Sequence, residues 1–162
     1  MKTRWIALWG VAAVVLQLMW PPSKLWYGVT PNLFLVCIIL LSVYVEARRL
    51  VWFGFIGGFL FDMMGAQQFG FHMAFYILLA LVLKFVWKLD KGNLQSASLL
   101  LATLVFTLLY YAVAYVAFLA PQYIAQWRYI VTRLLVEAAY NSLLVAVSIS
   151  VIQLRQRGII SS

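Results

Sequence analysis

Acidic residues are scarce in this 162-residue chain: Glu46, Asp62, Asp90 and Glu137 are all there are, and charged residues of both signs make up 10% of it. An ordinary soluble domain carries roughly 25%. With so little charge and 66% hydrophobic residues, the chain cannot cover a water-facing surface and reads as an integral membrane protein. One cysteine, Cys37, lies inside an apolar run, which excludes a disulfide framework or a cysteine-built metal site and leaves it a small core hydrophobe. His72 is the one histidine, and a lone histidine without cysteines or paired carboxylates makes a poor metal site. There is no nucleophile elbow, no phosphate-cradling glycine loop ending in Lys-Ser/Thr and no His-Glu-x-x-His pair, so neither an enzyme nor a cofactor binder is expected. Ser42, Ser142, Ser148 and Ser150 sit in apolar runs with no adjacent base, where hydroxyls bond back to their own helix or to a neighbour. The net charge of +8 does not point to nucleic acid, because the basic residues stand between apolar runs rather than clustering on one solvated face.

What is present is a succession of apolar runs. They predict an all-α bundle of about six transmembrane helices, a single domain over residues 1–162, with little chain left for a soluble domain. The expected spans are about Trp5–Trp20, Pro31–Val45, Val51–Met64, Phe69–Trp87, Ala97–Leu119 and Tyr129–Gln153. The first resembles a signal peptide but has no small-x-small cleavage site before Trp20-Pro21-Pro22, and is expected to be retained. Thr30-Pro31 reads as an N-cap followed by a first helical proline, and Glu46, Arg48 and Arg49 as a tight charged turn. The third span is short: from Val51 to Met64 it rises about 21 Å against a hydrocarbon thickness of about 30 Å. Lys84 and Lys88 are expected to snorkel to the headgroups, and six of the seven tryptophans, Trp87 among them, fall near span ends as an interfacial belt would place them.

Basic residues set the orientation. Lys2, Arg4, Arg48, Arg49, Lys84, Lys88, Lys91, Arg155 and Arg157 fall on one side, against Lys24 and Arg128 on the other. The richer side is cytoplasmic by the positive-inside rule, which puts both termini inside and residues 65–68 outside.

The densest feature is the stretch from Gly54 to Gly70. Gly54, Gly58 and Asp62 are four apart and share one helical face, and Gly65 and Gly70 bracket the turn that follows. Small residues at this spacing let a second helix approach closely, and an aspartate in hydrocarbon needs a partner, so the segment reads as a helix-packing or partner-binding face. In the last span Arg133, Glu137 and Asn141 make a second four-spaced polar stripe. With His72 these are the expected buried polar groups. Asp62 and Arg133 fall at the same depth, which predicts that they approach each other with Glu137 nearby; the competing arrangement pairs Arg133 with Glu137 on its own helix.

Pro31-Asn32, Gly54-Phe55, Gly58, Asp62 and Gly70, then Arg133 and Asn141, together with the six-span layout, resemble the rod shape-determining MreD family over nearly the whole chain. Where that family often shows Ser-Gly ahead of the last glycine, this chain has Gly65-Ala66. The resemblance implies a non-enzymatic multi-pass subunit of the bacterial elongation machinery in the cytoplasmic (inner) membrane. Its implied partners are an MreC-like periplasmic protein and, in one complex, MreB, RodA and its transpeptidase, placing lateral-wall peptidoglycan; no cofactor is implied. It also implies a fold similar to the S components of energy-coupling-factor vitamin transporters, and the alternative function is such a substrate-binding subunit. That alternative requires an enclosed, outward-opening pocket with a few convergent polar groups, for which Asp62, His72 and Arg133 are the candidates.

Overall fold

The computed structural model describes residues 12–13, 15–17, 19, 28–64, 69–89, 96–118 and 127–156, and all regular structure among them is helical. The expected first span is described only at residues 12–13, 15–17 and 19, which belong to helix α1. Five helices follow: α2 (Leu33–Tyr44), α3 (Ala47–Met64), α4 (Phe71–Leu89), α5 (Ser96–Phe118) and α6 (Trp127–Gln156). Residues 65–68, within the expected turn between Gly65 and Gly70, lie outside the described residues.

Helix α2 starts two residues later than Thr30-Pro31 suggests. Its N-cap is Asn32, whose side-chain oxygen accepts the amide of Leu35 at 3.0 Å. The side chain of Asn reaches the first-turn amides as a cap must, and Thr30 and Pro31 are left in the approach to the helix. Gln17 of α1 accepts the amide of Phe34, another first-turn donor with no partner inside the helix. At 12 residues α2 is about 18 Å long, too short to cross a bilayer alone, and it is apolar on every side. Such a helix belongs at the centre of a bundle. There it is, packed on α3, α4, α5 and α6, with Phe34, Leu35, Ile38 and Ile39 fully buried.

The chain turns through Val45, in extended conformation, and α3 begins at once, with Leu50 donating its amide to the Glu46 carbonyl. Arg48 and Arg49 are therefore in the first turn of α3 rather than in a loop. The helix gains a turn over its expected length and rises about 27 Å over its 18 residues. Among the described residues two helices hold apolar stretches long enough to cross a membrane, Phe71–Lys88 in α4 and Ile130–Gln153 in α6. Together with the composition they mark a membrane protein.

Two hairpins flank α2. Helix α3 packs on α4, and α5 on α6. In the core the Phe34 ring lies between Phe53, stacked at 5.0 Å, and Phe61 and Tyr76, met edge-on at 5.7 and 4.9 Å. Gly57 makes room for it, since a Cβ there would fall on the Phe34 ring itself.

Two expectations for the end of α4 are corrected. Lys84 does not run out to the headgroups but donates to the carbonyl of Ser42 at 2.5 Å, placing a cation at the C-terminal end of α2, where the helix dipole favours one. Trp87 is not an interfacial anchor: it is buried, and its indole N–H donates to the Ser42 hydroxyl at 2.7 Å. Ser42 in turn donates to the Ile39 carbonyl. A lysine and a tryptophan one turn apart on α4 thus close the end of the short central helix.

Candidate functional site

The site is built on the α3–α4 hairpin. Gly54 and Gly58 face α4 at backbone distance: a Cβ on Gly54 would lie 2.8 Å from the Tyr76 carbonyl oxygen, and one on Gly58 would meet the Met73 Cα and lie 2.6 Å from its amide nitrogen. Contacts this close exist only where a side chain is missing. Asp62, one turn further on, then sits beside the first turn of α4. Its Oδ1 accepts the His72 amide and its Oδ2 the Met73 amide, both at 3.0 Å.

The residue preceding α4, Gly70, has φ +100° and no side chain with which to cap the helix. Asp62 supplies the cap from the neighbouring helix, satisfying two of the amide donors that an N-terminus leaves free and placing negative charge at the positive end of the α4 dipole. Gly65 lies outside the described residues.

The carboxylate does a second thing. Its Oδ1 also meets the His72 ring at Nδ1, 2.9 Å away. A carboxylate only accepts, so Nδ1 carries the hydrogen, and in the neutral ring Nε2 is left to accept from the Tyr110 hydroxyl of α5 at 3.0 Å. The relay Asp62–His72–Tyr110 therefore joins α3, α4 and α5. Next along α5, the Tyr111 hydroxyl donates to Glu137 of α6.

Arg133 does not pair with Asp62, whose oxygens are taken by His72 and Met73. The Arg133 guanidinium lies 3.5 Å from the Gly28 carbonyl, and its charge acts on Glu137 and Tyr111. For the competing arrangement of Arg133 with Glu137, the structure gives Glu137 the Tyr111 hydroxyl of α5 as hydrogen-bond donor. The expected cross-helix pair gives way because the α4 N-terminus, three hydrogen bonds rich, is closer to Asp62 in the hairpin.

A second polar knot ties the far side of α2. Asn141 of α6 accepts the Asn32 amide at 2.8 Å and donates to Thr107 of α5 at 3.1 Å, while the Tyr76 hydroxyl donates to the Asn32 side-chain oxygen at 3.2 Å. Asn32, Thr107 and Asn141 are all buried. Tyr76, Thr107, Tyr110 and Tyr111 were not singled out from sequence. A signal existed in part: Thr103, Thr107 and Tyr110 recur at four and three residues on α5, a polar stripe that an otherwise apolar helix has no reason to carry.

What this cluster can do chemically is hold helices together. Its amides, hydroxyls and carboxylates bond to one another across α2, α3, α4, α5 and α6. A cavity of about 510 Å³ lies elsewhere, between α4 and α5 around Val82, Val86, Trp87, Leu101 and Val105, and its lining is apolar. Neither Asp62, His72 nor Arg133 lines it. Among the described residues no group of His, Cys, Asp and Glu could hold a metal ion. Compared with known proteins, residues 2–155 match the family model described as rod shape-determining protein MreD. No curated protein and no solved structure matches the chain.

Proposed function

Because the chain belongs to the MreD family of rod shape-determining proteins, we propose that it acts as a non-enzymatic scaffold of the elongation machinery, binding an MreC-like periplasmic partner and helping to position lateral peptidoglycan synthesis. It spans the bacterial cytoplasmic membrane six times with both termini inside, in one complex with MreB, RodA and its transpeptidase. The family match carries this reading. The site supports it, since the polar groups of the α3–α4 hairpin bond to one another and brace the bundle. The vitamin-transporter alternative is less well supported: the α4–α5 cavity is apolar and lies around Trp87, away from the polar groups that would have to hold a substrate.

Depletion in the native host tests the proposal. Cells losing the protein round up, their lateral-wall labelling with a fluorescent D-amino acid falls, and the MreC-like protein co-purifies with the tagged chain. Rods of normal width with unchanged labelling after depletion would rule the reading out.

A further inference from the structure

Helices α4 and α5 meet at one end and part at the other. Near the start of α4, Tyr110 of α5 bonds to His72 at 3.0 Å and packs edge-on against Phe75 with ring centroids 5.0 Å apart. Toward the end where α4 finishes and α5 begins, the apolar cavity of about 510 Å³ lies between them. Each helix is held from another side, α4 by α2 and α3, α5 by α2 and α6.

The cavity has a floor and a rim. Leu83, Trp87 and Phe106 are buried and form the floor, and the Trp87 indole is pinned by its bond to Ser42 of α2, so the floor is formed before anything occupies it. Val86, Leu101 and Val105 line the same space and are exposed, which leaves it open sideways to the hydrocarbon.

Size selects the occupant. From Ala97 to Phe106 the lining rises about 14 Å along α5, close to the roughly 15 Å that one leaflet contributes to the hydrocarbon core. A helix of that length, about 10 Å across with its side chains, takes up about 1,100 Å³, twice the cavity. A single hydrocarbon chain is far narrower, and an acyl chain is one leaflet long. The Tyr110 contact with α4 lies beyond the deep end, so the slot does not continue into the other leaflet as a longer polyprenyl chain would require.

Polar and charged groups stand only at the mouth. Ser98, the one hydroxyl of the lining, is in the first turn of α5, whose N-terminus presents free amides and the positive end of its dipole. Lys88, exposed in the last turn of α4, is next to Trp87, and Lys91 follows three residues on in the sequence. Basic groups at the cytoplasmic mouth of a gap between membrane helices attract anionic headgroups.

Taking the orientation given under the scaffold reading, we propose that the slot between α4 and α5 binds one anionic phospholipid of the cytoplasmic leaflet. An acyl chain lies along Trp87, Leu101 and Val105 toward Phe106, and the phosphate rests at the mouth between Lys88 and the start of α5. The lipid completes the packing between two helices that touch only at their other ends.

Titration of the detergent-solubilised full chain with phosphatidylglycerol, and separately with phosphatidylethanolamine, read by native mass spectrometry, tests this. One tightly held phosphatidylglycerol per chain is expected. Ala102→Phe, which fills the slot, should weaken its binding at least tenfold, whereas Leu143→Trp on the outward face of α6 should leave it unchanged. Val105→Trp, at the exposed rim, takes the place of Ala102→Phe if that variant melts below the wild type. Lys88→Gln should cut the preference for phosphatidylglycerol over phosphatidylethanolamine about fivefold. No retained lipid, equal retention of the two lipids, binding indifferent to a filled slot, or displacement of phosphatidylglycerol by an equal amount of a polyprenyl phosphate would each overturn the proposal. Labelling of a cysteine at position 92 separates it from the orientation on which it rests. If that position proves external, the orientation is wrong and the leaflet assigned here with it; if it is internal and the slot holds no lipid, the lipid site alone is wrong.

Discussion

Asp62 does two things at once: its carboxylate caps two amides of α4 and fixes the tautomer of His72. Removing it leaves buried donors without acceptors, which costs about 1–3 kcal/mol where no water can take their place. Asp62→Ala should therefore lower the melting temperature of the detergent-solubilised protein clearly, and Asp62→Asn, which keeps one acceptor oxygen, by less. Equal melting of both variants and wild type would show that the cap contributes nothing. Asn141 offers a parallel test on the other knot. Asn141→Leu keeps the branched shape of the side chain but cannot accept a hydrogen bond from the buried amide of Asn32, so a loss of at least about 1–3 kcal/mol is expected, the unmet donor being joined by the crowding of two larger methyl groups. A double variant with Thr107→Val should lose little more, because Thr107 bonds to the same Asn141 amide group.

The element that decides the fold is the α3–α4 hairpin, and its glycines are what permit it. A methyl group on Gly58 would run into the α4 backbone at Met73, which cannot swing aside as a side chain can. Gly58→Ala should separate the two helices and pull Asp62 off the amides it caps, so that one substitution weakens packing and capping together. Gly58→Leu should abolish rod-shape complementation even where the protein is still inserted, while Cys37→Ala, at a half-buried position, should leave it intact. Equal complementation by the Gly58 and Cys37 variants would remove the close approach of α3 and α4 from the account of function. The central helix α2 shows the converse case. It is short, and what holds its ends is supplied by others: Gln17 and Asn141 at its start, Lys84 and Trp87 at its finish.

On the scale of the whole molecule, the distribution of basic residues makes the orientation testable. With Cys37 replaced, a cysteine at position 67 should react with a membrane-impermeant reagent in intact cells and one at position 92 should not. The opposite pattern would invert the topology and with it the side from which a periplasmic partner could reach the bundle. Much of this architecture is legible in the chain itself. Apolar runs separated by charge and proline specify helices to within a few residues, since burying a backbone in hydrocarbon leaves helix as the economical way to satisfy its amides. The four-residue spacing of Gly54, Gly58 and Asp62 likewise specifies one face, because it follows from helix geometry alone. Which group each polar residue meets was decided only in three dimensions. Asp62 and Arg133 match in depth along the chain, but pairing depends on which helices adjoin and how each is rotated, and the hairpin brings the α4 amides and His72 to the carboxylate first. Lys84 and Trp87 read as residues for the membrane surface until the shortness of α2 places its last turn within their reach. A hydropathy pattern records how deep a residue lies; its neighbour across the bundle is set by packing, and packing is a property of the folded chain.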